Sequence, residues 1–133
     1  MPWYPDGVTV MKAAAETPAL CTRFHRASEL IGRRWTGAII FLLLKQTCRF
    51  ATLRTAIPGI TDRMLSERLQ ELEDEGLVVR TVRPEPPVRV EYALTKKGRA
   101  LAEPIGALAE WAEKYVPLTE PRAKADKSSR HRR

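Results

Sequence analysis

Arg63, Glu67, Gln70 and Asp74 follow one another at steps of four, three and four residues, with Ser66 beside them. Those steps place them in one row along a helix. Leu65, Leu69 and Leu72 form the opposite, apolar face. The row holds hydrogen-bonding chemistry suited to nucleotide bases. Arg63, in the first turn, presents a planar fork that fits guanine O6 and N7 or a phosphate. Gln70 can pair with adenine, and Glu67 can accept from cytosine N4. Thr61 is a suitable N-cap and Gly76 a suitable stop. Glu71, Glu73, Asp74 and Glu75 crowd the last turns. Negative charge there opposes the helix dipole and repels phosphates, so the N-terminal half is the end expected in a groove. Taken alone, the pattern also fits an ordinary surface helix of mixed charge.

The neighbouring segments decide between these readings. A two-turn helix is expected over Phe50 to Ile57, followed by the turn residues Pro58-Gly59. Beyond Gly76 the period changes to two. Val78, Arg80 and Val82 alternate on one strand and Val88, Val90, Tyr92 and Leu94 on the next, around Pro84-Glu85-Pro86-Pro87. Helix, turn, helix and hairpin in this order predict a mainly α fold with a β-hairpin wing (α+β), a winged helix-turn-helix. In that motif the second helix enters the major groove and the first braces it.

Flanking segments complete the domain. Thr17-Pro18 reads as a helix start, with Leu20, Phe24, Ala27 and Ile31 on one face and Gly32 at the end. Trp35 to Leu44 is apolar almost all round, which predicts a central buried helix. Thr95 is expected to cap a last long helix with a stripe of Leu101, Ile105, Leu108, Ala112 and Tyr115, kinked at Pro104. Both outer stripes are long for so small a domain, which fits dimerisation through the N- and C-terminal helices or, alternatively, packing within one subunit. Trp35, Phe50 and Tyr92 read as core packing rather than base stacking. The expected organisation is an N-terminal arm over 1–16, the domain over 17–116, and a basic, disordered tail over 117–133.

Composition narrows the function. The 133 residues include 23 Lys and Arg against 16 Asp and Glu, a net charge of +7. Arg122 to Arg133 contributes +5 of that, so the tail is nearly all of the excess. Such a tail attracts any polyanion and identifies none. The longest apolar run, Ala38 to Leu44, is far short of the roughly 20 residues of a membrane span. With no secretory signal and two cysteines lacking CxxC spacing, a cytoplasmic protein without membrane contact is expected. No HExxH, GxSxG, P-loop or GxGxxG occurs, and no Cys/His cluster has metal spacing, so neither enzyme nor cofactor is expected. His25, beside Arg26, reads as a helix-surface residue.

Several segments resemble the HxlR-type branch of MarR-like bacterial transcription regulators, from about Cys21 to Trp111. They are ELIGRRWTGAII, RFATLRTAIPGITDRMLSERLQELEDEGLVVRTV and PPVRVEYALTKKGRAL. The most specific parts are Ile31, Gly32 and Trp35 of the IGxxW turn, the RF-xx-L-xxx-I-PGI segment, the L-x-x-R-L-x-x-L-E run and the PPVRVEY-xLT-xxG exit. The resemblance implies a small cytoplasmic homodimer that binds double-stranded operator DNA, with an unidentified small-molecule or redox effector.

Resemblance and local chemistry together suggest the DNA-contacting set: Thr61, Arg63, Ser66, Glu67 and Gln70 on the recognition helix, Arg49 opening the bracing helix, and Arg83 and Arg89 flanking the wing tip. Each wing arginine also fits a solvated strand charge. Redox-responsive members use a cysteine near the start of the first helix. Cys21 stands there, beside Arg23 and one turn from His25, but the usual position falls at Thr22 and its following proline is absent. Cys48 qualifies as a partner only if its Cα comes within about 7 Å of Cys21 in the same or the other subunit. Two other functions share this fold, a protein–protein interaction module and a non-specific architectural DNA binder.

Overall fold

The structure, a computed structural model, describes residues 17–118. The expected arm over 1–16, and the tail from 119 onward, lie outside the described residues. The chain divides into two units, one ending at Gly37 and one beginning at Ala38.

In the first unit, α1 spans Thr22–Gly32. The expected start at Thr17-Pro18 is corrected, because residues 17–20 have no regular structure. Cys21 is the N-cap instead, and its Sγ accepts from the Phe24 N–H at 3.4 Å. Leu20 is 66% exposed, so no packing holds an earlier turn in place. Gly32 ends the helix as expected. Trp35 then adopts φ 78°, a left-handed conformation rare for a bulky residue. The Arg34 guanidinium lies 4.6 Å over its ring.

Helix α2, Thr36–Lys45, buries Ile39, Ile40 and Leu43. The expected buried helix is seen, with Phe41 as an exposed position beneath the Lys45 ammonium. Between α2 and the next helix lies a short strand, β1 (Cys48–Arg49). It pairs antiparallel with β3 (Arg89–Leu94), which pairs on its other side with β2 (Val78–Arg83). The order is therefore β1-β3-β2. Arg83 and Arg89 are the last paired residues before the tip.

Between β1 and β2 lie α3, Phe50–Ala56, and α4, Asp62–Asp74. Leu53, Ile57 and Ile60 anchor α3 and the turn, and Gly59 takes φ 91° there. Leu65, Leu69 and Leu72 bury the inner face of α4. Gly76, at φ 78°, ends it in a Schellman motif. The Leu77 N–H bonds back to Leu72 O and the Gly76 N–H to Glu73 O, both at 2.9 Å.

The wing is buried only at its root. Val78, Tyr92 and Leu94 are buried, whereas Val82 and Val88 are exposed. The alternation expected along both strands is therefore corrected on β2, where every residue after Val78 is exposed, and holds on β3 only at its root, where Tyr92 and Leu94 are buried around a half-buried Ala93.

The single kinked terminal helix is also corrected. Thr95 caps a four-residue helix, α5 (Lys96–Arg99), and a separate α6 runs Ala102–Tyr115. Pro104 has no N–H to donate and its ring crowds the carbonyl four residues earlier, so continuous helix fails at 100–101. Within α6 the proline sits in the first turn, where an N–H lacks a helical partner anyway. Gly98 packs so closely on Leu77 that a Cβ would overlap the Leu77 carbonyl oxygen. Thr95 Oγ1 also donates to Gly76 O at 2.6 Å, so the end of α4 and the start of α5 are tied together.

Candidate nucleic-acid interface

The outward row of α4 is assembled as its sequence spacing requires. Thr61 caps the helix, its Oγ1 accepting from the Met64 N–H at 3.1 Å. Arg63 has a side chain 87% exposed, and its Nε lies 3.3 Å from Glu67 Oε2. One turn on, Gln70 Nε2 donates to Asp74 Oδ1 at 3.0 Å. Ser66 is exposed on the flank. These contacts give the row a defined rest state. Exposed i,i+4 pairs contribute only about 0.3–0.5 kcal/mol, so a base edge or phosphate can displace them at little cost.

The orientation of α4 rests on stronger packing. Arg68 lies on the same side as the three leucines and is buried, with Nη1 3.1 Å from Glu71 Oε2. On the exposed side, Arg54 in the last turn of α3 reaches Asp62 in the first turn of α4, with Nη1 at 3.0 Å from Oδ1. Asp62 also places negative charge where the helix dipole favours it. The helix-turn-helix pair is thus clasped across its turn.

The sheet supplies the remaining cations. Arg49 is exposed at the N-cap of α3, with no side-chain capping bond. Arg83 Nε lies 3.2 Å from Glu91 Oε1. Arg89 is half-buried. Of the cysteines, Cys21 is exposed and Cys48 buried. Burial pushes the Cys48 thiol above its usual range, partly offset by a side-chain hydrogen bond with Gln46, and the thiol donates to the Gln46 carbonyl at 3.4 Å. Cys21 belongs to the first unit and Cys48 to the second.

Thr61, Arg63, Ser66, Glu67 and Gln70 are therefore together on one exposed helix, while Arg49, Arg83 and Arg89 share the sheet. Sequence reading missed Asp62, Arg54, Arg68 and Glu91. Arg68 falls at the +3 step from Leu65, so its burial had a signal. The Arg54–Asp62 clasp crosses the turn and had none. Among the described residues no group of His, Cys, Asp and Glu is placed to hold a metal ion. Hollows lined by Glu110, Trp111 and Lys114, and by Leu42, Cys48 and Leu53, lie on other elements. The α4 face is exposed and lines none of these hollows, which suits a groove in a partner rather than an enclosed small substrate.

Comparison with known proteins agrees with this architecture. Residues 30–120 match the family model described as HxlR-like helix-turn-helix. The chain belongs to that family of transcriptional regulators, and its winged helix-turn-helix is a DNA-binding one. It is 46% identical over 97 residues to YvaP of Bacillus subtilis, an uncharacterized HTH-type transcriptional regulator, covering 73% of this chain and 90% of the relative. The HTH-type transcriptional regulator YodB of the same organism is 42% identical over 96 residues, 72% of this chain and 86% of YodB. The reduced form of YodB superposes with a TM-score of 0.67 at 39% identity, covering 77% of this chain and all (100%) of that one. A MarR-family protein from Porphyromonas gingivalis W83 gives 0.69 at 30% identity, over 76% and 99% of the two chains. No helix among the described residues is long and apolar enough to cross a membrane.

Proposed function

We propose that the chain binds operator DNA as a homodimer in the cytoplasm and regulates transcription there. Arg63, Glu67 and Gln70 read base edges in the major groove, and Thr61 and Ser66 bond at the margins of the same face. Arg49, Arg83 and Arg89 meet the phosphate backbone. The carrying observation is α4 itself, whose leucine face is locked inside while its hydrogen-bonding row stands fully outward from a capped N-terminus. Selecting duplexes from a random pool with the full chain tests this. Enrichment of a pseudo-palindromic sequence is expected, bound more weakly as salt rises. Binding without enrichment would support an architectural role instead, and no binding would support a protein-interaction module.

Cys21 supports a second reading, oxidant control of DNA binding. It is exposed at the head of α1, where backbone N–H groups converge. Solved structures of YodB include reduced, diamide-treated and quinone-bound forms. Diamide should lower duplex affinity in the wild type and leave Cys21→Ser unaffected. A loss that persists in Cys21→Ser, or no loss in the wild type, removes Cys21 from the mechanism.

A further inference from the structure

The register of the sheet gathers charges on one face. Residues directly opposite in an antiparallel pair project to the same side, and alternate residues of a strand share a side. Arg49 on β1 stands opposite Glu91 on β3. Across the other edge, Thr81 stands opposite Glu91 and Arg83 opposite Arg89. Arg49, Arg83 and Arg89 therefore share one face, and Glu91 lies among them on the central strand. The reverse face is the buried one, where Cys48 faces Tyr92 and Val78 faces Leu94.

Glu91 is the sole acid among the paired residues of this face. Its side chain is 24% exposed, against 53% for that of Arg83, which bonds it through Nε. A guanidinium has five N–H donors, so four of those on Arg83 stay available. Arg89 Nε is shut from solvent and has no acceptor among the described residues. Three arginines share a face with one carboxylate that, among the described residues, bonds only Arg83, and phosphate oxygens are the acceptors that would match the remaining donors.

We propose that Glu91 is the positioning residue of a three-arginine phosphate-binding face, and that its charge limits binding to duplexes that seat all three arginines. This deepens the DNA-binding reading above and rests on it. Glu91 fixes Arg83 through Nε and leaves its terminal nitrogens outward. Its negative charge repels phosphates that approach loosely, where the arginines do not compensate. In the seated complex all three guanidiniums lie between carboxylate and phosphate, and the repulsion is screened.

Glu91→Gln in the full chain separates these contributions, since the amide keeps the shape and an acceptor for Arg83 but loses the charge. Binding to a scrambled 30-bp duplex should tighten roughly three- to tenfold, the scale of one nearby surface charge. Binding to the duplex selected from the random pool should change less than about twofold, so the ratio of the two affinities falls. Unchanged or weaker binding of the scrambled duplex would overturn the proposal. Arg83→Gln is the second variant. It should weaken both duplexes alike and lower the salt slope by about one, and no effect on either would also overturn the proposal. A wild-type chain that bound no duplex would remove the DNA reading itself. A wild type that bound normally, beside an indistinguishable Glu91→Gln, would remove only this inference.

Discussion

Leu65, Leu69 and Leu72 on α4 are 0–1% exposed, whereas Leu108, Trp111 and Tyr115 on α6 are 54–63% exposed. Both helices show apolar residues at helical spacing. On α4 the stripe closes the core and forces the polar row outward. On α6 Ile105 is buried near the start, and beyond it the stripe faces solvent, with the Trp111 and Tyr115 rings 5.5 Å apart. Periodicity thus identifies a face without saying what covers it. A large exposed apolar patch on a regulatory domain points to association, and the proposed homodimer supplies the cover. Helix α1 fits the same account, since Leu20 and Phe24 are exposed and no α1 residue is buried.

The largest expected effect follows from this contrast. Leu69→Ala should cost about 2–5 kcal/mol of folding stability, because it empties a site enclosed on all sides. Leu108→Ala should change the stability of the isolated chain by less than about 0.5 kcal/mol. It should instead weaken self-association roughly tenfold, as loss of an interface anchor does. Denaturation and sedimentation of the two variants would measure this. Equal destabilisation, or unchanged association in Leu108→Ala, would break the contrast.

Substitutions on the outer side of α4 should reverse the pattern. Arg63→Ala or Gln70→Ala should cost about 1–3 kcal/mol in binding the selected duplex and relax the preference at one base position. Folding stability should hold within about 0.5 kcal/mol, since only exposed pairs are lost. Equal weakening on selected and scrambled duplexes would reassign these residues to phosphate contact.

The smallest effect concerns Cys48. Burial raises its folded-state pKa, so the unfolded chain gives up the proton first as pH increases. The associated stability is fully present below about pH 8.5 and declines as pH rises toward the folded-state value. Cys48→Ala should flatten that decline in denaturation midpoints measured between neutral and alkaline pH. An unaltered decline would assign it to other groups.

The legible parts of the sequence were the local ones. The Thr61 cap, the leucine face of α4, the Gly76 stop and the hairpin each depend on residues a few positions apart, and all appear where expected. Strand β1 was not legible, because Cys48 and Arg49 become a strand only by pairing with Tyr92 and Glu91 far along the chain. The same holds for Arg54 and Asp62, which meet across a turn. Thr17-Pro18 carried a sound start signal, yet Cys21 caps the helix, since the signal sets a preference and packing sets the boundary. The exposed row of α4 was readable, and the contacts that hold the helix in place were not.

Hydroxyl-radical footprinting of the full chain on the selected duplex tests the central claim most directly, since it registers where each α4 lies. Two chains that each insert one α4 predict two symmetric protected stretches with centres about 10–10.5 base pairs apart, or a multiple of that spacing. A single asymmetric stretch, or diffuse protection along the whole duplex, would contradict the account.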